Sequence, residues 1–149
     1  MMARIFYIAL FCSISVLALS QPSPWATLSI VDKTTTYDES LGMEVVSVTP
    51  GPIAKTLNQK EIEISGYMIA LDVKRKQSHF MFSRYPQNMC FFCGAAGPES
   101  AMQVFMANNV ELEHTTDKII IRGILNVQQG DPTGLIYTLT QANYIDVIK

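Results

Sequence analysis

The sequence has only two histidines and one tryptophan, and no Gly-x-Ser-x-Gly elbow, phosphate loop or dinucleotide fingerprint. Histidine-dependent hydrolysis therefore has little to draw on, and no two carboxylates are spaced as a general acid and base. The chain reads as a binding protein and not as an enzyme. It has no excess of basic charge either, with 11 Lys and Arg against 13 Asp and Glu. A nucleic-acid or anionic-membrane surface needs a basic face, so neither partner is expected. The one basic run, Lys74-Arg75-Lys76, reads as a solvated hairpin turn. Low-complexity tracts, charge blocks and Pro/Gly linkers long enough to divide domains are also absent.

What is present begins with a leader. Arg4 precedes an apolar run from Ile5 to Leu19, broken only by Cys12, Ser13 and Ser15. Ala18-Leu19-Ser20 fits the small-x-small cleavage rule, and Gln21-Pro22-Ser23-Pro24 reads as a polar, extended mature start. The run is shorter than the ~20 residues of a membrane-spanning helix, so residues 1–20 are expected to be a cleaved signal peptide and the mature chain to carry no transmembrane anchor. A lipid on Cys12 is disfavoured, because Leu10-Phe11 precede it where small residues would be required. Cleavage near Ser20 removes Cys12 and leaves Cys90 and Cys93 in a periplasmic or secreted protein, where a thiol pair becomes a disulfide unless a metal claims it.

Hydrophobic residues make up 48% of the chain, enough for one folded core. Residues 21–58 read as an N-terminal extension. It holds a short strand at Ala26–Val31, a polar Thr-rich loop at Lys33–Gly42 and a strand or extended segment at Met43–Val48. The turn Thr49-Pro50-Gly51-Pro52 leads to one or two helical turns over Ile53–Asn58. Residues 59–149 read as a barrel domain. Glu61 to Ser65 alternates polar and apolar, and at Gly66 the phase changes, because Tyr67, Ile69 and Leu71 become the apolar set. A glycine at a phase change predicts a bulge or bend. Further strands are expected at His79–Arg84, Ala101–Met106, Lys118–Val127 and Leu135–Ile145, with turns at Asp72–Gln77 and Gly130–Gly134. Ile119, Ile121 and Gly123 repeat the spacing of Ile62, Ile64 and Gly66. The aromatics Tyr67, Phe80, Phe82 and Tyr137 share the core-facing phase and are read as packing, not as a stacking platform. Five strands, two bent at glycine, predict an all-β fold: a small OB-like barrel with one short helix, or alternatively a β-sandwich.

The most unusual stretch is Met89-Cys90-Phe91-Phe92-Cys93-Gly94-Ala95-Ala96-Gly97-Pro98-Glu99-Ser100. Its small residues let backbone approach a ligand, Gly97-Pro98 sets a turn, and the two phenylalanines put apolar surface beside the thiols. Four roles compete. The cysteines can form a structural disulfide, or they can ligate zinc or copper with His79, Glu99 or His114 as the only additional donors. His114 is read as solvated. A thioredoxin-type redox pair needs a helix N-terminus in a βαβ setting, which the neighbouring strands do not offer. Last, Phe91, Phe92, Gly94, Gly97, Pro98 and Glu99 can form a ligand-binding rim.

The run Glu61-Ile62-x-Ile64-x-Gly66-Tyr67-x-Ile69-x-Leu71, with the loop Met89-Cys90-Phe91-Phe92-Cys93-Gly94-x-x-Gly97-Pro98-Glu99, resembles a group of small uncharacterised exported proteins of Gram-negative bacteria. More distantly it is similar to an uncharacterised exported or lipoprotein family with a Cys-x-His, proline-rich loop at the corresponding place. The resemblance covers residues 55–145. It implies an OB-like fold and a periplasmic or envelope location, with no activity attached. A Cys-x-His pair cannot form a disulfide but keeps two soft metal ligands, so the resemblance raises the metal reading. The expectation is an exported OB-like binding module that binds zinc or copper through Cys90 and Cys93. The alternative is a protein- or small-ligand-binding module in which they are a disulfide. The partner is expected to be another envelope protein or a small ligand.

Overall fold

The computed structural model describes residues 23–128 and 134–148, so the expected signal peptide at 1–20 and most of the turn at 130–134 lie outside the described residues. The elements run in order α1 (Pro24–Leu28), β1 (Val31–Asp38), β2 (Met43–Pro50), α2 (Pro52–Thr56), β3 (Glu61–Ile69), β4 (Lys76–Gln77), β5 (His79–Ser83), β6 (Ala101–Met106), β7 (Leu112–Glu113), β8 (Lys118–Val127) and β9 (Tyr137–Ile148). Four single turns of 3-10 helix interrupt the loops. The protein is mostly β.

Five strands close a ring in the order β3-β5-β6-β9-β8. Every pairing is antiparallel except β6 with β9. β3 turns the corner: Glu61 to Tyr67 pair with β8, and Tyr67 to Ile69 pair with β5. The interior is filled by alternate residues, among them Ile64, Met68, Phe80, Phe82, Met102, Val104, Ile119, Ile121, Leu125, Tyr137 and Leu139. Trp25, Leu28 and Ala54 belong to the same cluster, so the segment before the barrel helps to fill it. The Trp25 indole N–H donates to the Ser65 carbonyl at 2.7 Å, and the Tyr137 hydroxyl to the Leu28 carbonyl at 2.7 Å.

Several expectations are corrected. Ala26–Val31 is not a strand: its first half belongs to the helix α1, because Pro24 at its first turn starts a helix, and the strand begins only at Val31. The Thr-rich stretch from Lys33 is strand β1 and not loop; its β-branched residues suit an extended pairing with β2 over eight rungs. The two helices of five residues replace the single one expected.

There is no phase change at Gly66. Ile64, Gly66 and Met68 all face the interior, and the register with β8 runs through Gly66 unbroken. A β-carbon there would stand 2.5 Å from the Ser83 carbonyl oxygen and 2.8 Å from the Phe82 ring, so the glycine makes room for Phe82. Ile69 is buried on the outer face, Tyr67 is only half-buried and Leu71 is exposed. The bend opposite Gly123 belongs to β9. Between the pairs Arg122–Asn143 and Ile124–Thr140, β9 carries one residue more than β8, and Gln141 there adopts a φ of 52°.

Candidate functional site

The loop from Arg84 to Ser100 joins β5 to β6 and lies against the outside of the barrel wall. Strand alternation turns Ile69, Met81 and Ala101 outward, yet all three are buried, in a second small core with Cys90 and Leu135. Cys90 is the loop's buried anchor. Three 3-10 turns shape the rest: Gln87–Met89, Phe91–Cys93 and Pro98–Ser100. Gly94 closes the second turn at a φ of 73°, a left-handed conformation that favours glycine. Gly97 closes under the folded-back Glu99 carboxylate, which occupies the space a side chain there would need.

The turn brings the two thiols together. Cys93 is exposed, Cys90 is buried, and their Sγ atoms are 3.9 Å apart as free thiols. The Cys93 thiol donates to the Gln87 carbonyl at 3.0 Å. Its contact with the Cys90 thiol, then burial and the Cys90 charge, push its pKa up. This is the reverse of an activated thiolate. A three-residue turn among strands also provides no helix terminus of the kind that acidifies a thioredoxin-type thiol.

The other candidate donors are not gathered here. His79 starts β5, whereas the loop leaves from Ser83, about 13 Å further along at 3.3 Å per residue. Its ring stacks on Phe105 at 4.1 Å and meets the Gln103 side chain at 3.2 Å. Glu99 turns away to Lys33, with Oε1 3.4 Å from Nζ, while its buried Oε2 has no hydrogen-bond partner. His114, read as solvated, is half-buried in a cleft of about 270 Å³ beside Pro86, Gln87 and Asn88. Among the described residues no three of His, Cys, Asp and Glu converge as a metal site. Sequence reasoning missed Lys33, whose residue lay in a supposed loop; the β-branched run after it was the available signal. Two cations of the basic run are paired, Lys74 with Asp72 at 3.7 Å and Arg75 with Glu113 at 2.7 Å.

Phe91 and Pro98 form one wall of a larger cleft of about 530 Å³, whose opposite wall is β2. The expected rim residues do not share a single pocket, since Gly97 and Glu99 border a separate cavity of about 340 Å³ with Arg84 and Ser100. Among the described residues no helix is long and apolar enough to cross a membrane.

Comparison with known proteins places these features in a family context. A family model described as a protein of unknown function (DUF3299) matches residues 22–144. The crystal structure of a DUF3299 family protein from Pseudomonas aeruginosa is similar at a TM-score of 0.50 and 16% identity, covering 68% of this chain and 70% of that one. At that identity the likeness speaks to the fold alone. No curated protein matches the chain.

Proposed function

The chain belongs to the DUF3299 family of proteins of unknown function, and we propose that it is an exported binding module on an OB-type barrel whose Cys90–Cys93 turn holds one soft metal ion. The strand order supports the OB assignment, because five strands closed by one parallel pair, between the third and the last, follow the Greek-key path of that barrel. The observation that carries the metal reading is the thiol separation. Metal–sulfur bonds of about 2.3 Å at a tetrahedral angle hold two sulfurs about 3.8 Å apart, and the Sγ atoms stand at 3.9 Å. This turn supplies two of the donors that a bent S–metal–S angle requires, so a further donor from outside the turn completes the site, and soft thiolates select copper(I). Cys93, exposed, gives the ion its entry; Cys90 fixes its place against the barrel wall. Binding displaces the Cys93 thiol proton, so affinity rises with pH while this raised thiol remains protonated.

Native mass spectrometry of the protein exported with its own leader tests the reading. A chain beginning near Gln21 that carries one copper ion, lost in Cys93→Ser, supports it. A chain two hydrogens lighter than the reduced mass, with no adduct, overturns it. The turn is then a disulfide staple in a protein- or small-ligand-binding module. A mass that retains residues 1–20 overturns the export.

A further inference from the structure

The arm formed by β1 and β2 is the part of the molecule that the barrel does not use. Its two strands pair over eight rungs and form a sheet of their own. Tyr37, Leu41, Met43, Val45 and Val46 on it are exposed. The tip is nevertheless ordered: the Asp38 carboxylate accepts from the Ser40 amide at 2.8 Å and the Leu41 amide at 3.3 Å, and Gly42 takes the left-handed position at a φ of 65°.

Four successive residues of β2, Val45 to Val48, line the 530 Å³ cleft opposite Phe91, Leu135 and Ile136, with Lys33 of β1 as its one charged lining residue. Neighbouring residues of a strand point to opposite faces, so four in a row that border one space present backbone as well as side chains to it. Among the described residues the edge of β2 away from β1 has no strand partner. An open edge facing an apolar wall is the arrangement in which an added strand gains main-chain hydrogen bonds on one side and side-chain contacts on the other.

The charge says what kind of strand fits. Between Val31 and Pro50 stand Asp32, Asp38, Glu39 and Glu44 against Lys33 alone, and Lys33 is held by Glu99. None of the four carboxylates has an ion-pair partner among the described residues. A second copy of the arm would bring like charges together, which opposes self-pairing. We propose that the cleft receives an extended, basic segment of a partner protein, which adds to the free edge of β2 as a third strand and sets its cations against the acidic arm.

The probe is a synthetic heptapeptide alternating valine and lysine, titrated into the isotope-labelled full chain and followed by NMR. The amide resonances of Val45 to Val48 shift and their exchange slows, and Glu44→Lys, at an exposed position, weakens binding on the order of tenfold at low salt. The same peptide with glutamate for lysine does not bind. Three results would overturn the proposal: no shift at millimolar peptide, shifts confined to another surface, or equal binding of the glutamate peptide. A dimer in sedimentation that Val46→Ser dissociates would also overturn it, assigning the edge to a second copy.

Discussion

At the residue scale, the sharpest constraint is Gly66. A methyl group there presses on the Ser83 carbonyl, which is backbone held in a strand, and on the ring of Phe82 in the filled interior. Gly66→Ala is expected to cost about 1–3 kcal/mol, as overpacking does, read as a lower urea midpoint with an unchanged slope. The cysteines should behave unequally. Cys90→Ser puts a hydroxyl among Ile69, Met81, Ala101 and Leu135 at a cost of about 1–3 kcal/mol, while Cys93→Ser at an exposed site changes stability by less than about 0.5 kcal/mol. If the pair instead formed a disulfide, both substitutions would break the same bond, and Cys93→Ser would also lower the denaturation midpoint. Tyr137 carries a pH signature. Burial, then the charge of Glu99, raises its pKa above the ordinary value near 10. The unfolded chain ionises this phenol first, so the stability it provides is complete below about pH 10 and falls as pH climbs toward the raised native value. Tyr137→Phe should lose about 1–2 kcal/mol near neutral pH, because the Leu28 carbonyl is left unpaired. It should also flatten the decline above about pH 10.

At the element scale, the arm and the barrel differ in what supports them. A two-stranded hairpin is marginal by itself, and the arm is tied to the loop by Lys33–Glu99 and to the core by Val31 and Val48 at its base. Amide exchange should therefore be fast across Thr34 to Ser47 and slow in β8, which lies between two partners. Asp38→Ala removes the acceptor for the turn amides and should speed exchange in the arm further. The thermal midpoint followed in the barrel should move little. A matching drop in that midpoint would mean that the arm is part of the barrel's cooperative unit.

At the scale of the whole molecule, the barrel does not stop at Glu61. Trp25, Leu28 and Ala54 lie in the same core as Phe80 and Leu139, so a fragment of residues 59–149 would expose apolar surface that the full chain buries. Such a fragment is expected to lack cooperative unfolding. The full chain should unfold in one transition, with the emission of Trp25, its sole tryptophan, following far-UV circular dichroism. Separate midpoints for the two signals would show the N-terminal segment detaching from the barrel.

Much of this was legible in one dimension. Sequence pattern marked strands at Glu61, His79, Ala101 and Lys118 and a last one from Leu135 that begins at Tyr137 in the structure. The two glycines of the Ile-x-Ile-x-Gly spacing, expected as bends, are interior positions. Period-two patterning can mark strands because it depends only on which face a neighbouring residue takes. The cysteine pair was equally plain, since two thiols three apart on any turn come close. The face occupied by Ile69 was not legible, because an apolar residue in the outward phase looks like a bend until the loop that covers it is placed. Nor was the arm, whose threonines satisfy both a loop and a strand and whose partner strand decides between them. The separation of His79 and Glu99 from the thiols was likewise settled only in three dimensions. Local pattern determined the elements and the thiol pair; which faces are covered, and which donors meet, depended on contacts between residues far apart in the chain.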